Sequence, residues 1–119
     1  MIVAAITFFS LAVVLGLFLV ILGVRYQRGS RRIAAAHAGV ALLGIAFLGV
    51  RVFSGPIDFL YNSAALLFVL ALAGGLMLLT LRLSERDQHT PPSLIGVSLH
   101  AAMGLFALLL LVLGYLRAS

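Results

Sequence analysis

"IVAAITFFSLAVVLGLFLVILGVRYQRGSRR", residues 2–32, decides the architecture. Residues 2–24 carry no charged side chain, and arginines then follow at 25, 28, 31 and 32. An apolar run of about 20 residues, wound as an α-helix, crosses the roughly 30 Å hydrocarbon core of a bilayer. Helix is what such a run must adopt there, because no water is present to pair its backbone N–H and C=O groups. The run is too long for the core of a signal peptide and shows no small-residue cleavage signature, so it is expected to be retained as a membrane helix.

Outward from this stretch the pattern repeats. Apolar runs near 33–53, 60–81 and 94–116 are separated by "SGPID" and "RLSERDQHTPPS", whose Gly, Pro, Ser and charged residues stop helices. The expected organisation is one domain, residues 1–119, of four spans. Composition agrees: 64% of the 119 residues are hydrophobic and mean hydropathy is +1.26, more apolar side chain than a soluble domain of this size can keep from water. The lipid bilayer is therefore the expected solvent. No cysteine is present, which excludes disulfides and thiolate metal sites. All eight basic residues are Arg, consistent with a GC-rich bacterial genome. They lie at helix ends and form no basic domain, so the net charge of +5 points to membrane topology and away from nucleic acid.

The arginines also set orientation. Arg25, Arg28, Arg31, Arg32, Arg82 and Arg86 flank one set of helix ends, against Arg51 and Arg117 at the other. The positive-inside rule puts the first set in the cytoplasm and both termini on the outer, periplasmic side of a bacterial inner membrane. Short connections make consecutive helices antiparallel neighbours. The expected fold is all-α, an up-down-up-down four-helix bundle in which spans two and four run parallel.

Two histidines interrupt the apolar spans: His37 in "IAAAHAGVALLGIAFLGVRVF" and His100 in "VSLHAAMGLF". At 1.5 Å rise per residue they lie about 6 and 9 Å into their helices, at one membrane level. With neighbouring axes 8–10 Å apart, diagonal helices stand roughly 13 Å apart, a gap two imidazoles can close on a central iron. An ionisable side chain in hydrocarbon is costly and by default marks a functional group with a partner, in a haem, quinone or proton role; the alternative is a structural histidine, hydrogen-bonded to a backbone carbonyl or serine of the next helix. Small residues at helical spacing flank both: Ala34, Ala41 and Gly44 beside His37, and Gly96, Gly104 and Ala107 beside His100. They admit either a second helix or a porphyrin. Two neutral imidazoles can fill both axial positions of a low-spin haem iron, which suits electron transfer. Arg28, Arg31, Arg32, Arg82, Arg86 and His89 lie at the same membrane edge, where haem propionates would need cations.

"SLHAAMGLFALLLLVLGYL", residues 98–116, resembles the fourth-helix pattern of the cytochrome b561 superfamily, and "HAGVALLGIAFL", residues 37–48, resembles its second-helix pattern. The resemblance covers two helices of the four. It implies one haem b shared between them, with His37 and His100 as axial ligands. That family carries a second histidine pair on helices three and five, whereas span three, "LYNSAALLFVLALAGGLMLLTL", has no histidine and a fifth span is lacking. One haem at most is implied, so a route across the whole membrane needs a partner subunit. The halves of haem A synthase also pair histidines on helices two and four, but the acidic residue expected beside the ligand is missing from "RRIAAAHAG".

Other chemistries fit less well. A zinc site needs three or four ligands, and neither carboxylate nor thiolate accompanies the two histidines. Asp58 is expected to cap span three, and Glu85 and Asp87 to balance Arg82 and Arg86. Small four-span exporters bury an acid in the first helix, which this one lacks, and Ser10 is too little for a pathway. Tyr61 and Asn62, near the outer face, are candidates to line a small pocket, though interfacial tyrosine usually serves as an anchor. His89 reads as a solvated loop residue. The expected function is an electron-transfer subunit, not an enzyme alone, passing electrons between quinone or a partner subunit and another redox centre. The alternative is an accessory membrane subunit of a respiratory or photosynthetic complex, without cofactor, packed through Gly74, Gly75 and the Ala-rich faces.

Overall fold

The computed structural model describes residues 1–26, 29–84 and 93–119, residues 82–84 by their backbone alone. Four helices follow in order: α1 (Ile2–Val24), α2 (Arg31–Ser54), α3 (Phe59–Ser84) and α4 (Leu94–Ala118). All four are long and apolar enough to cross a membrane, the character of a multi-pass membrane protein. No strand occurs among the described residues.

Polar caps place the helix starts. The first backbone N–H groups of a helix have no partner within it and take one from a flanking side chain. The Ser30 hydroxyl accepts from the N–H of Ile33 at 3.2 Å, which starts α2 two residues ahead of its apolar run. Ser93 does the same for α4 through Gly96, at 3.3 Å. Asp58 caps α3 as its position implies, one carboxylate oxygen accepting from Leu60 at 2.9 Å and Tyr61 at 3.2 Å. At the end of α2 the Arg51 guanidinium donates to the Pro56 carbonyl at 3.1 Å and folds over Gly55. A Cβ at position 55 would stand 2.8 Å from the Arg51 carbonyl oxygen and would push the guanidinium aside.

α1 packs along α2, and α3 along α4; lighter α2–α3 and α1–α4 contacts close a four-helix bundle, leaving α1 opposite α3 and α2 opposite α4 on its diagonals. The core holds Ala5, Phe9, Leu48, Tyr61, Ala64, Phe68, Ala107 and Leu111. Phe9 and Phe68 stack across the α1–α3 diagonal, with centroids 3.5 Å apart and planes within 3°. Gly44 makes room for Phe9, since a Cβ there would lie 2.9 Å from its ring. Gly114 does likewise for Tyr61, at 2.7 Å. Tyr61 is therefore a core residue, 3% exposed, with Arg51 over its ring at 5.0 Å, and not an anchor at the membrane surface. Leucines and phenylalanines such as Leu17, Phe18, Leu66, Leu105 and Phe106 point outward instead, as lipid contact requires.

Asp58 also joins Arg117 of α4 in a salt bridge. Partial burial pushes its carboxyl upward, but the N–H of Tyr61, the Arg117 guanidinium and the N–H of Leu60 together outweigh this and hold it below its ordinary value. A carboxylate depressed in the folded state stabilises above the unfolded value of about 3.9, and that contribution is lost as pH falls through the folded one. Thermal melts of the detergent-solubilised protein at acidic and neutral pH should show this acid-side loss, and Asp58→Ala should lack it. At neutral pH the variant should be less stable by about 1 kcal/mol through the lost cap. Parallel acid loss in wild type and variant would mean that Asp58 is not its source.

Candidate functional site

His37 on α2 and His100 on α4 meet across the bundle's diagonal, ring centroids 6.1 Å apart and planes at 76°. Each stands seven residues after its helix's serine cap, Ser30 or Ser93, and each is half-buried. His37 Nδ1 lies 2.7 Å from the Ala12 carbonyl oxygen of α1, and His100 Nδ1 lies 2.8 Å from that of Ala71 on α3. A carbonyl only accepts, so Nδ1 is the donor in both bonds. A neutral imidazole so bonded keeps its lone pair on Nε2.

A glycine stands against each ring. A Cβ at Gly16 would come within 3.1 Å of His37 Cε1, and one at Gly75 within 2.8 Å of His100 Cε1. These glycines belong to α1 and α3, the other diagonal, and the histidine rings fill the space they leave.

The two halves of the site are built alike. Ala5, Phe9, Ala12 and Gly16 of α1 recur 59 positions on as Ala64, Phe68, Ala71 and Gly75 of α3. Ser30, His37, Ala38, Leu42 and Leu48 of α2 recur 63 positions on as Ser93, His100, Ala101, Leu105 and Leu111 of α4. The correspondence holds in the contacts, with matching caps, carbonyl bonds, glycine cradles and the Phe9–Phe68 stack between halves. Ala12, Ala71, Gly16 and Gly75 are the site residues that the histidine-centred reading of the sequence passes over. The repeat itself is the signal that finds them.

The other expected residues disperse. Gly44 is filled by Phe9, and Gly96 faces Leu78, whose Cδ2 would be 2.9 Å from a Cβ. Gly104 borders open space, with no atom within 4 Å of a Cβ, and Ala41 is half-buried one turn past His37. Arg31 and Arg32 are exposed in the first turn of α2. The Arg82 side chain, Arg28, Arg86 and His89, with Glu85 and Asp87, lie outside the described residues. Gly74 and Gly75 both face α4, towards Met103 and His100, inside the bundle. An open groove between α2 and α3, lined by Ile45, Gly49, Val52, Phe53, Ala65 and Leu66, offers only apolar surface.

Among the described residues no group of three or more His, Cys, Asp or Glu stands together as a metal site. Two imidazoles suit instead a metal that brings most of its donors with it. Two rings bound end-on to one ion, with metal–nitrogen bonds of about 2.0 Å and nitrogens about 1.1 Å from their ring centres, have centroids about 6 Å apart. The observed centroids are 6.1 Å apart, with the Cε1–Nε2 edges of the rings resting against Gly16 and Gly75.

Fold and site thus define a class: a four-helix bundle of membrane-spanning character with two imidazoles facing each other across its centre. No protein-family model matches the chain, and no curated protein or solved structure matches it either.

Proposed function

We propose that the protein is a membrane electron-transfer subunit holding one haem b between His37 and His100. The observation that carries this reading is the pair of opposed imidazoles 6.1 Å apart, each tied through Nδ1 to a helix carbonyl. Metal-bound histidines are held in this way, the second ring nitrogen fixing tautomer and orientation. A haem bound there would exchange single electrons, with both axial positions filled and none left for oxygen. The chain's part is to present two imidazole ligands and to offer arginines at the helix ends to anionic propionates; the Phe9–Phe68 stack lies about two helical turns away.

The topology proposed with it is the up-down-up-down arrangement, supported by Phe9 meeting Gly44 while Gly16 meets His37, a pairing that runs in opposite directions along α1 and α2. The arginine-rich ends would face the cytoplasm of a bacterial cell and both termini the outer side. The haem would lie nearer the cytoplasmic face, exchanging electrons with quinone or a partner subunit.

The test is a reduced-minus-oxidised visible spectrum of protein purified from its native membrane, with a pyridine haemochrome assay. The expected outcome is a sharp α-band and one haem b per chain. Absence of haem would leave the accessory-subunit reading.

A further inference from the structure

We infer that His37 and His100 both carry their proton on Nδ1 even before any ligand binds, held so by a twice-used backbone device: Ala12 with Gly16, and Ala71 with Gly75. The consequence for a metal rests on the haem reading above; the proton assignment does not.

The device follows from helix geometry. A helical carbonyl at position i accepts the N–H of residue i+4 and has a second lone pair to spare. The side chain of residue i+4 lies over that carbonyl, on the same helix face. Gly16 is four residues after Ala12, and Gly75 four after Ala71. With no Cβ in the way, an imidazole from the next helix reaches the spare lone pair at 2.7 Å in one half and 2.8 Å in the other. A neutral histidine in water favours its proton on Nε2. Here the carbonyl can receive nothing but a proton donor, so the less common tautomer is selected and Nε2 is left as a lone pair in both rings. Gly16 and Gly75 are positioning residues: they touch the ligand rings and no ligand.

The two halves are not equally tight. A methyl at position 75 would stand 2.8 Å from His100 Cε1, closer than carbon atoms approach, and would swing the ring off the Ala71 carbonyl. At position 16 the clearance is 3.1 Å, so His37 yields by a few tenths of an ångström.

The test is nitrogen NMR of full-length, histidine-labelled protein prepared without haem in detergent, with signals assigned by single His→Ala variants. In wild type, both His37 and His100 should show a protonated Nδ1 and an unprotonated Nε2. Gly75→Ala should lose this signature at His100 and keep it at His37, and Gly16→Ala should move the His37 signals by less. Haem-loaded Gly75→Ala should show altered low-spin g-values, a change that a purely structural glycine would not cause. Wild-type rings protonated on Nε2 would overturn the inference, and that spectrum alone decides it should the variants fail to fold. Unchanged tautomers in both glycine variants would overturn the cradle's role. Protonated Nδ1 with no haem in the native protein would sink the electron-transfer proposal and leave this inference standing.

Discussion

His37→Ala and His100→Ala are each expected to take low-spin haem b from one per chain to none, while His89→Ala keeps it. Both axial ligands come from this single pair in the proposed site, and among the described residues no third His, Cys, Asp or Glu joins them. Removing one leaves an iron with one protein ligand, a weaker complex with a high-spin spectrum. The fold should survive. Losing the His37 side chain frees the spare lone pair of the Ala12 carbonyl, about 0.6 kcal/mol by the average of hydrogen bonds inside membranes, and empties the half-buried space beside Gly16. Helix content by circular dichroism should therefore match wild type while the α-band is gone. Added imidazole should restore part of the low-spin spectrum by occupying the space beside Gly16 or Gly75. Low-spin haem retained in either variant would remove the ligand assignment.

Most of the helical framework was legible in the sequence because hydrocarbon demands it. Apolar runs of bilayer length can only be helices, and the Asp58 cap sits where side chain and helix start coincide; the Ser30 and Ser93 caps emerge from the structure. What apolar composition does not encode is rotation about the helix axis. In a soluble helix polar residues mark the outside; here leucine serves both faces, with Leu111 fully buried and Leu105 half-exposed to lipid. Gly44 and Gly96 thus read as equivalent to Gly16 and Gly75, although the first two accommodate Phe9 and Leu78 and the last two the histidines. Tyr61 misleads for the same reason: its position suggests the membrane surface, and Gly114 on a distant stretch of chain makes the slot that buries it. The histidines stood out because an ionisable group in hydrocarbon is rare. Their carbonyl and glycine partners, being ordinary membrane residues, show only when one half of the chain is laid on the other.

That ambiguity gives the second large effect. Phe9→Ala and Phe68→Ala should each destabilise the bundle by about 2 kcal/mol, whereas Phe106→Ala should cost almost nothing. All three are phenylalanines in membrane helices, so hydrophobicity does not distinguish them. Phe9 and Phe68 are 2% and 6% exposed and stack on each other between the halves, while Phe106 is 54% exposed towards lipid. Burying a phenyl ring in a water-soluble core contributes about 3–5 kcal/mol, part of it transfer from water. In a bilayer that part nearly vanishes, because a separated helix exposes its ring to lipid tails that are just as apolar. What remains is the hole: a cavity of about 100 Å³ at about 24 cal/mol per Å³ costs about 2 kcal/mol. The double variant should cost less than the sum of the singles, because one stacked pair, with a coupling of about 0.5–1.5 kcal/mol, is lost only once. Unfolding by denaturing detergent, followed by circular dichroism, measures all four variants against wild type. Equal losses for Phe9→Ala and Phe106→Ala would mean that these rings share one environment, and the bundle's inward faces would have to be reassigned.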